Sequence, residues 1–471
     1  MPFDLKSILA SRAGEGASLW HEYLNPQQAR VLRSIGFNRD WRRGEGSYLW
    51  DSDGDRYLDL LTGFGVFALG RGHPVLRQAL HDLLDLSVAD LIQMDTPLLA
   101  GLLGEQLVQR TPGLDRAYFG NSGTEMVETA LKFARRYTGR ARVLYCDHGY
   151  HGLTAGSLSV NGSSDFRSGF GPLLPDTKVP FGDLGALRRE LAGGDVAALL
   201  IEPIQGKGVN VVPPGFLAEA ADMLHRHGAL LICDEVQVGM GRTGLFWSYQ
   251  HDLSGDIVPD IVTVSKALSG GYVPVGATIA RSAIFDSVYS SMDRVLVHDT
   301  TFGTNSQAMT AGLATLAVID DERLVENAGA VGGWLLDELR AAASRYELIA
   351  DVRGRGLMIG VEFGRPRSRR LRAQYRALSL ARQGLFTQMV VCALFDRHRI
   401  LTQTAADHAD VLKLLPPLNL SRSDAEAFLA AFCEVMDSIH DSSRSVWRFG
   451  WGLTTRTLRN SPTAGAAHQP D

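Results

Sequence analysis

The stretch DIVTVSKALSGG, Asp260 to Gly271, decides how this chain is read. Ile261 to Val264 form an apolar, β-branched core strand, and Lys266 follows where the chain is still expected to be buried. Burial penalises the charged form of a lysine. An ammonium placed here is paired, reaches water, or has a lowered pKa that frees its amine for chemistry.

Two upstream segments repeat the pattern. VAALLIEP (196–203) is an apolar strand ending at Glu202, and ALLICDE (229–235) is another ending at Asp234. Glu202, Asp234 and Lys266 are spaced 32 residues apart in both steps, about one strand-helix-strand unit. In open α/β sheets the ligand crevice lies beyond the carboxyl ends of the strands, so the three side chains are expected to converge on one small molecule. Strands often end in polar residues without further role, which explains any one of them better than all three. A carboxylate and a lysine in one crevice, with no metal-ligand cluster nearby, point to pyridoxal phosphate: the lysine condenses with the aldehyde and the carboxylate keeps the pyridine nitrogen protonated.

Such a cofactor needs a phosphate cradle. AYFGNSGTEMVETALKFARRY (117–137) supplies a strand, the loop Asn121-Ser122-Gly123-Thr124 and a helix, whose first N–H groups can meet a phosphate. Ser122 followed by Glu125 is also an ordinary helix-capping pair. No G-x-G-x-x-G opens a helix after a strand and no G-K-[ST] is present, which speaks against nicotinamide and nucleoside triphosphate chemistry.

The rest of the chain organises around this unit. Residues 1 to about 45 read as helical, and GSYLWDSDGDRYLDL (46–60) as a hairpin. Residues 1–69 are expected to join a small domain, 70–320 to form a large domain of alternating strands and helices, 321–440 to form the small α+β domain, and 441–471 to be a partly disordered tail. In the small domain we expect a long helix to about Tyr346, a strand in GLMIGVEF (356–363), a basic helix, strands around VVCALF (390–395) and HRILTQ (398–403), and a helix over 422–440. Trp447, Phe449 and Trp451 in the tail are expected to pack against the small domain.

Composition narrows the class of partner. Lys+Arg 47 against Asp+Glu 52 gives a formal charge of −5, so no global basic field draws nucleic acid or an anionic membrane, and small molecules are the expected partners. The four cysteines are far apart and form no C-x-x-C pair, which argues against a disulfide framework and a zinc site and suits a cytoplasmic location. No signal peptide and no transmembrane segment is expected.

The ordered motifs YLWDSDGDRYLDLLTGFGVFALGRGHP (48–74), FGNSGTEMVETALKFAR (119–135), YHGLTAGSLS (150–159), IEPIQGKGV (201–209), LICDEVQVGMGRTG (231–244), VSKALSGG (264–271), TTFGTN (300–305), DVRGRGLMIGVEF (351–363) and KLLPPLNLS (413–421) resemble the class III, ω-amino acid type aminotransferases. These are pyridoxal phosphate enzymes of fold type I, and the resemblance implies that α/β fold: a large domain with a mostly parallel sheet and a smaller α+β domain. It implies that Lys266 carries the cofactor and moves the substrate proton, with Asp234 on the pyridinium nitrogen and Gln237 near the ring hydroxyl. Val236 and Tyr150 would flank the ring, with His151 beside them. Ser122, Gly123 and Thr124 would hold the phosphate. Glu202 would lie beside the cofactor, a structural role in fixing the strand-end turn remaining open. Thr301 would reach the phosphate of a neighbouring subunit, which implies a homodimer with shared active sites.

Two positions depart from the family pattern. Lys207 stands where a glutamate is usual and Lys413 where an arginine binds α-carboxylates, so planar bidentate recognition is lost. Lys207 and Lys413 either favour an anionic or hydroxyl-rich substrate or point into solvent. The expected activity is transfer of an amino group between an amine or amino acid donor and an aldehyde or keto acceptor, by a ping-pong mechanism. A mutase, decarboxylase or phospho-lyase of the same fold, and a non-catalytic scaffold, are the alternatives.

Overall fold

The computed structural model describes residues 3–441 except 93, 256, 406 and 407. Its centre is a seven-stranded sheet in the spatial order Arg116–Gly120, Gly276–Ala280, Ile261–Val264, Leu230–Asp234, Val196–Ile201, Arg142–Cys146, Thr177–Val179. The five strands from Ile261–Val264 onward run parallel, while Gly276–Ala280 is antiparallel to both of its neighbours. Parallel strands covered by helices on both faces carry unbroken apolar runs, and all six residues of Val196–Ile201 are buried. The three strands that end at Glu202, at Asp234 and just before Lys266 are adjacent, so the 32-residue spacing becomes a line across the sheet.

The helix Gly123–Thr138 starts at the end of the first strand and packs on the Ile261–Val264 and Gly276–Ala280 strands. Met126, Val127, Ala130, Leu131 and Ala134 form its buried face, at the three- and four-residue spacing that puts side chains on one side of a helix. Gly139, with φ 69°, ends it in the left-handed conformation that suits glycine.

The hairpin Tyr48–Asp51/Arg56–Asp59 is present as the sequence predicts, with its turn at Ser52-Asp53-Gly54-Asp55. Before it, the three helices Leu5–Ser11, Gly16–Tyr23 and Pro26–Ile35 give way to a strand, Trp41–Glu45, earlier than the helical reading to residue 45 expects. Arg56–Asp59 pairs in parallel with Ile400–Leu401, which ties the N-terminal segment to the C-terminal part.

A third sheet, in the order Ile349–Arg355, Met358–Phe363, His408–Leu414, Gln403–Ala405, is antiparallel throughout. One expectation fails here. VVCALF lies not in a strand but inside the helix Leu385–His398, where the nine residues Phe386, Thr387 and Met389 to Phe395 are buried. A helix buried nearly all round shows no apolar periodicity, so a short apolar window cannot separate it from a core strand. Trp447, Phe449 and Trp451 lie outside the described residues. Among the described residues no single helix is long and apolar enough to cross a membrane.

Candidate active site

The carboxyl ends of the three adjacent strands open onto a cavity of about 540 Å³ that Glu202, Asp234 and Lys266 all line. Asp234 is the most constrained of them. Its Oδ1 accepts from the Val236 N–H at 3.0 Å and the Thr263 hydroxyl at 3.3 Å, and its Oδ2 lies 2.7 Å from His151 Nδ1. Burial opposes charge on His151, but the hydrogen bond to Asp234 and the charges of Asp234 and Glu202 outweigh it and raise the imidazole pKa.

Glu202 accepts from the Tyr150 N–H at 2.9 Å and the Gly206 N–H at 2.7 Å, so it fixes two cavity-lining segments while lining the cavity itself. Burial pushes its pKa up, with His151 pulling the other way. Lys266 follows the strand in a left-handed conformation, φ 40°, which costs a non-glycine residue on the order of 1–3 kcal/mol and marks a functional constraint. Burial lowers the pKa of its amine, partly offset by Asp234 and Glu202, so a neutral nucleophile forms more readily than in water.

The helix Gly123–Thr138 presents its N-terminus to the same cavity through Gly123 and Thr124. Thr124 Oγ1 lies 2.8 Å from Thr154 Oγ1 and 2.6 Å from Ser157 Oγ, a cluster of hydroxyls beside Gly152. A methyl group at Gly152 would stand 2.3 Å from Thr124 Oγ1, and one at Gly123 would stand 2.8 Å from Val236 Cγ1. Bare backbone is therefore required at both edges of the cradle. A phosphate fits this helix N-terminus and its hydroxyls, and a cationic ring nitrogen fits the buried Asp234 carboxylate. The residues present thus suit pyridoxal phosphate.

Gly123, Thr124, Tyr150, His151, Val236 and Gln237 line the cavity with Lys266, while Ser122 does not. The Ser122 hydroxyl accepts from the Glu125 N–H as a helix cap, at 3.3 Å, in line with the alternative reading of that loop. Thr301 is exposed and does not line this chain's own cavity. Lys207 and Lys413 are buried in the cavity wall, 8% and 5% exposed, so the solvent-pointing reading is corrected for both. Their Nζ atoms meet a carbonyl, an amide oxygen and aromatic rings from other segments, which sequence alone does not reveal.

Phe64, Phe166, Gln403 and Thr404 also line the cavity and escape the sequence reading. Phe64 sits in four successive left-handed residues, Thr62 to Gly65, with φ of 48°, 63°, 63° and 87°. The glycines flanking it were the available signal. Phe166, on the short helix Ser164–Arg167, had none.

The model of the aminotransferase class III family matches residues 33–436. Aminotransferase PigE of a Serratia species is 35% identical across 89% of this chain, and the chain spans about half, 53%, of that relative's length. Among solved structures, an ornithine aminotransferase from Toxoplasma gondii superposes with a TM-score of 0.77 at 27% identity, covering 91% of this chain and 99% of the other. An amine transaminase from an uncultivated Pseudomonas species, in a pyridoxal phosphate-bound form, superposes with a TM-score of 0.74 at 28% identity, covering 85% and 95%. The fold is that of the fold type I pyridoxal phosphate-dependent aminotransferases. Within that class, the chain belongs to the class III aminotransferase family.

Proposed function

We propose that this chain transfers an amino group between a donor amine or amino acid and an aldehyde or keto acceptor in two successive half-reactions at the Lys266 cavity. The observation that carries the reading is the convergence of a part-buried amine, Lys266, and a hydrogen-bonded carboxylate, Asp234, on one cavity that a helix N-terminus also lines. Pyridoxal phosphate, when bound, supplies an aldehyde that condenses with amines and a ring that accepts electrons. Lys266 would hold it at the aldehyde end and, once displaced by substrate, would take the proton from the substrate carbon and return it. Asp234 would hold the ring nitrogen, kept in place by His151, the Val236 N–H and Thr263. Tyr150 and Val236 would confine the ring, Gln237 would lie near its hydroxyl, and Gly123 and Thr124 would hold the phosphate.

We further read the active enzyme as a homodimer in which Thr301 completes the partner's phosphate site. Exposed apolar residues in the same stretch of chain, Met292, Leu296 and Phe302, support that reading. The division into a large domain over 70–320 and a small one over 321–440 joined by 1–69 is supported by the Arg56–Asp59/Ile400–Leu401 pairing. Four free cysteines, three of them buried, support a cytoplasmic location.

The test is a nitrogen balance on the enzyme loaded with pyridoxal phosphate. A donor amine should bleach the visible band and release one carbonyl product, and a second carbonyl compound should restore the band and leave as the amine. Release of carbon dioxide, phosphate or an isomer without nitrogen exchange would overturn the reading.

A further inference from the structure

The cavity holds two ammonium groups besides Lys266, and the protein already uses both. Lys413 sits on the His408–Leu414 strand, opposite Gly360 and Gln403, and reaches the cavity from the antiparallel sheet. Its Nζ donates to the Gly206 carbonyl at 2.5 Å and to Gln237 Oε1 at 3.2 Å. Gln237 Nε2 in turn donates to the Phe64 carbonyl at 3.1 Å. A chain of hydrogen bonds thus runs from the antiparallel sheet through Gln237 to the left-handed turn that carries Phe64. Lys207 Nζ lies 3.6 Å from the Phe166 ring centroid and 5.0 Å from that of Tyr150, so aromatic faces share its charge.

A carboxylate on the reacting carbon has poor prospects against Lys413. The lysine lacks the planar fork that grips both oxygens, and two of its donors are occupied. The atoms beside it are oxygens: a methyl group placed on Gly206 would come within 2.6 Å of Gln237 Oε1 and 3.0 Å of Glu202 Oε2. A second anion there meets like partial charges in a poorly solvated wall. Burial, with Lys266 also repelling, pulls the Lys413 pKa down to about 7, which further weakens any fixed positive charge. Phe64, Tyr150, Leu153, Phe166 and Val236 form the apolar part of the wall, beside the neutral polar side chains of Gln403 and Thr404, and Phe64 is 57% exposed.

We propose that Lys413 is a positioning residue that fixes Gln237 and Phe64, not a carboxylate receptor, and that the site takes primary amines and aldehydes or ketones whose reacting carbon bears an apolar chain and no carboxylate. This rests on the transaminase reading above and narrows its substrate class.

n-Pentylamine and L-norleucine differ only by the carboxylate on the reacting carbon, and single-turnover bleaching of the loaded enzyme separates them. The expected specificity ratio favours n-pentylamine by about 30-fold or more, and Lys413→Arg should narrow it about tenfold by improving L-norleucine. Lys413→Met should raise the half-saturating n-pentylamine concentration while holding the maximal rate within about threefold, the mark of lost positioning. Equal or better use of L-norleucine by the wild-type enzyme would overturn the inference, as would Lys413→Met losing L-norleucine turnover selectively. The wild-type ratio decides even if a variant fails to fold. Bleaching by neither amine, nor by any of a panel of amines and amino acids, would overturn the transaminase reading as well.

Discussion

His151 Nδ1 stands 2.7 Å from Asp234 Oδ2, and both side chains are all but sealed from water, 0% and 4% exposed. A buried pair of this kind is costly to break from one side, on the order of 3–5 kcal/mol, because the remaining group keeps its desolvation penalty.

Asp234→Asn should therefore weaken cofactor binding about tenfold or more and slow amine turnover by about two orders of magnitude. The pH dependence has a definite sign. The folded-state pKa of His151 is raised above 6.5, so its contribution to stability is complete below that value and is lost as pH rises through the folded value. The wild-type advantage over Asp234→Asn in thermal unfolding should shrink as pH rises above 6.5. An advantage that stays constant across that range contradicts the pairing.

Lys266→Ala removes the part-buried amine at the strand end. Borohydride reduction of the loaded wild-type protein should fix the cofactor on the peptide containing Lys266, and the variant should show no such adduct. Turnover should fall by about three orders of magnitude or more. Labelling at another lysine in the wild type would displace Lys266 from its role.

Gly152→Ala tests the cradle. A methyl group there meets Thr124 Oγ1 at 2.3 Å and Ser157 Oγ at 2.8 Å, on a backbone with φ 116°. Strain of about 1–3 kcal/mol is expected, and cofactor affinity by fluorescence titration should drop about tenfold or more. Unchanged affinity would move the phosphate elsewhere.

Lys413 makes the opposite pH prediction to His151. Its folded pKa is about 7 against an ordinary 10.5, so between those values the unfolded chain binds a proton that the folded protein does not. Stability from this group rises as pH climbs from about 7 toward 10.5. Lys413→Met lacks the effect, so the wild type should gain on the variant in unfolding temperature across that window. A gap independent of pH would place the ammonium in contact with water.

Thr301 tests the shared site. Sedimentation should give a dimer, and Thr301→Ala should weaken cofactor binding several-fold while leaving the dimer and its helical content intact. A fully active monomer removes the shared-site reading.

How much of this was legible beforehand depends on what kind of signal each residue leaves. Glu202, Asp234 and Lys266 announced themselves because an ionisable residue ending an apolar strand breaks a pattern, and a regular spacing of breaks implies parallel crossover units. Ser122 could be read two ways, and its hydroxyl accepts from the Glu125 N–H as the capping reading expects. VVCALF misled because a helix buried on all sides offers no periodicity. Phe166 and Thr404 carry no pattern at all, since they enter the cavity from a four-residue helix and a three-residue edge strand whose placement depends on distant packing.

The sequence by itself determined the strand-helix alternation around the central sheet, the series of polar strand ends and the family, because these are local regularities or ordered motifs. Only the tertiary structure decided what Lys207 and Lys413 touch. Their partners, Phe166, Gly206 and Gln237, come from other segments of the chain, and whether an ammonium meets water, a ring or a carbonyl is fixed by the packing that brings those segments together.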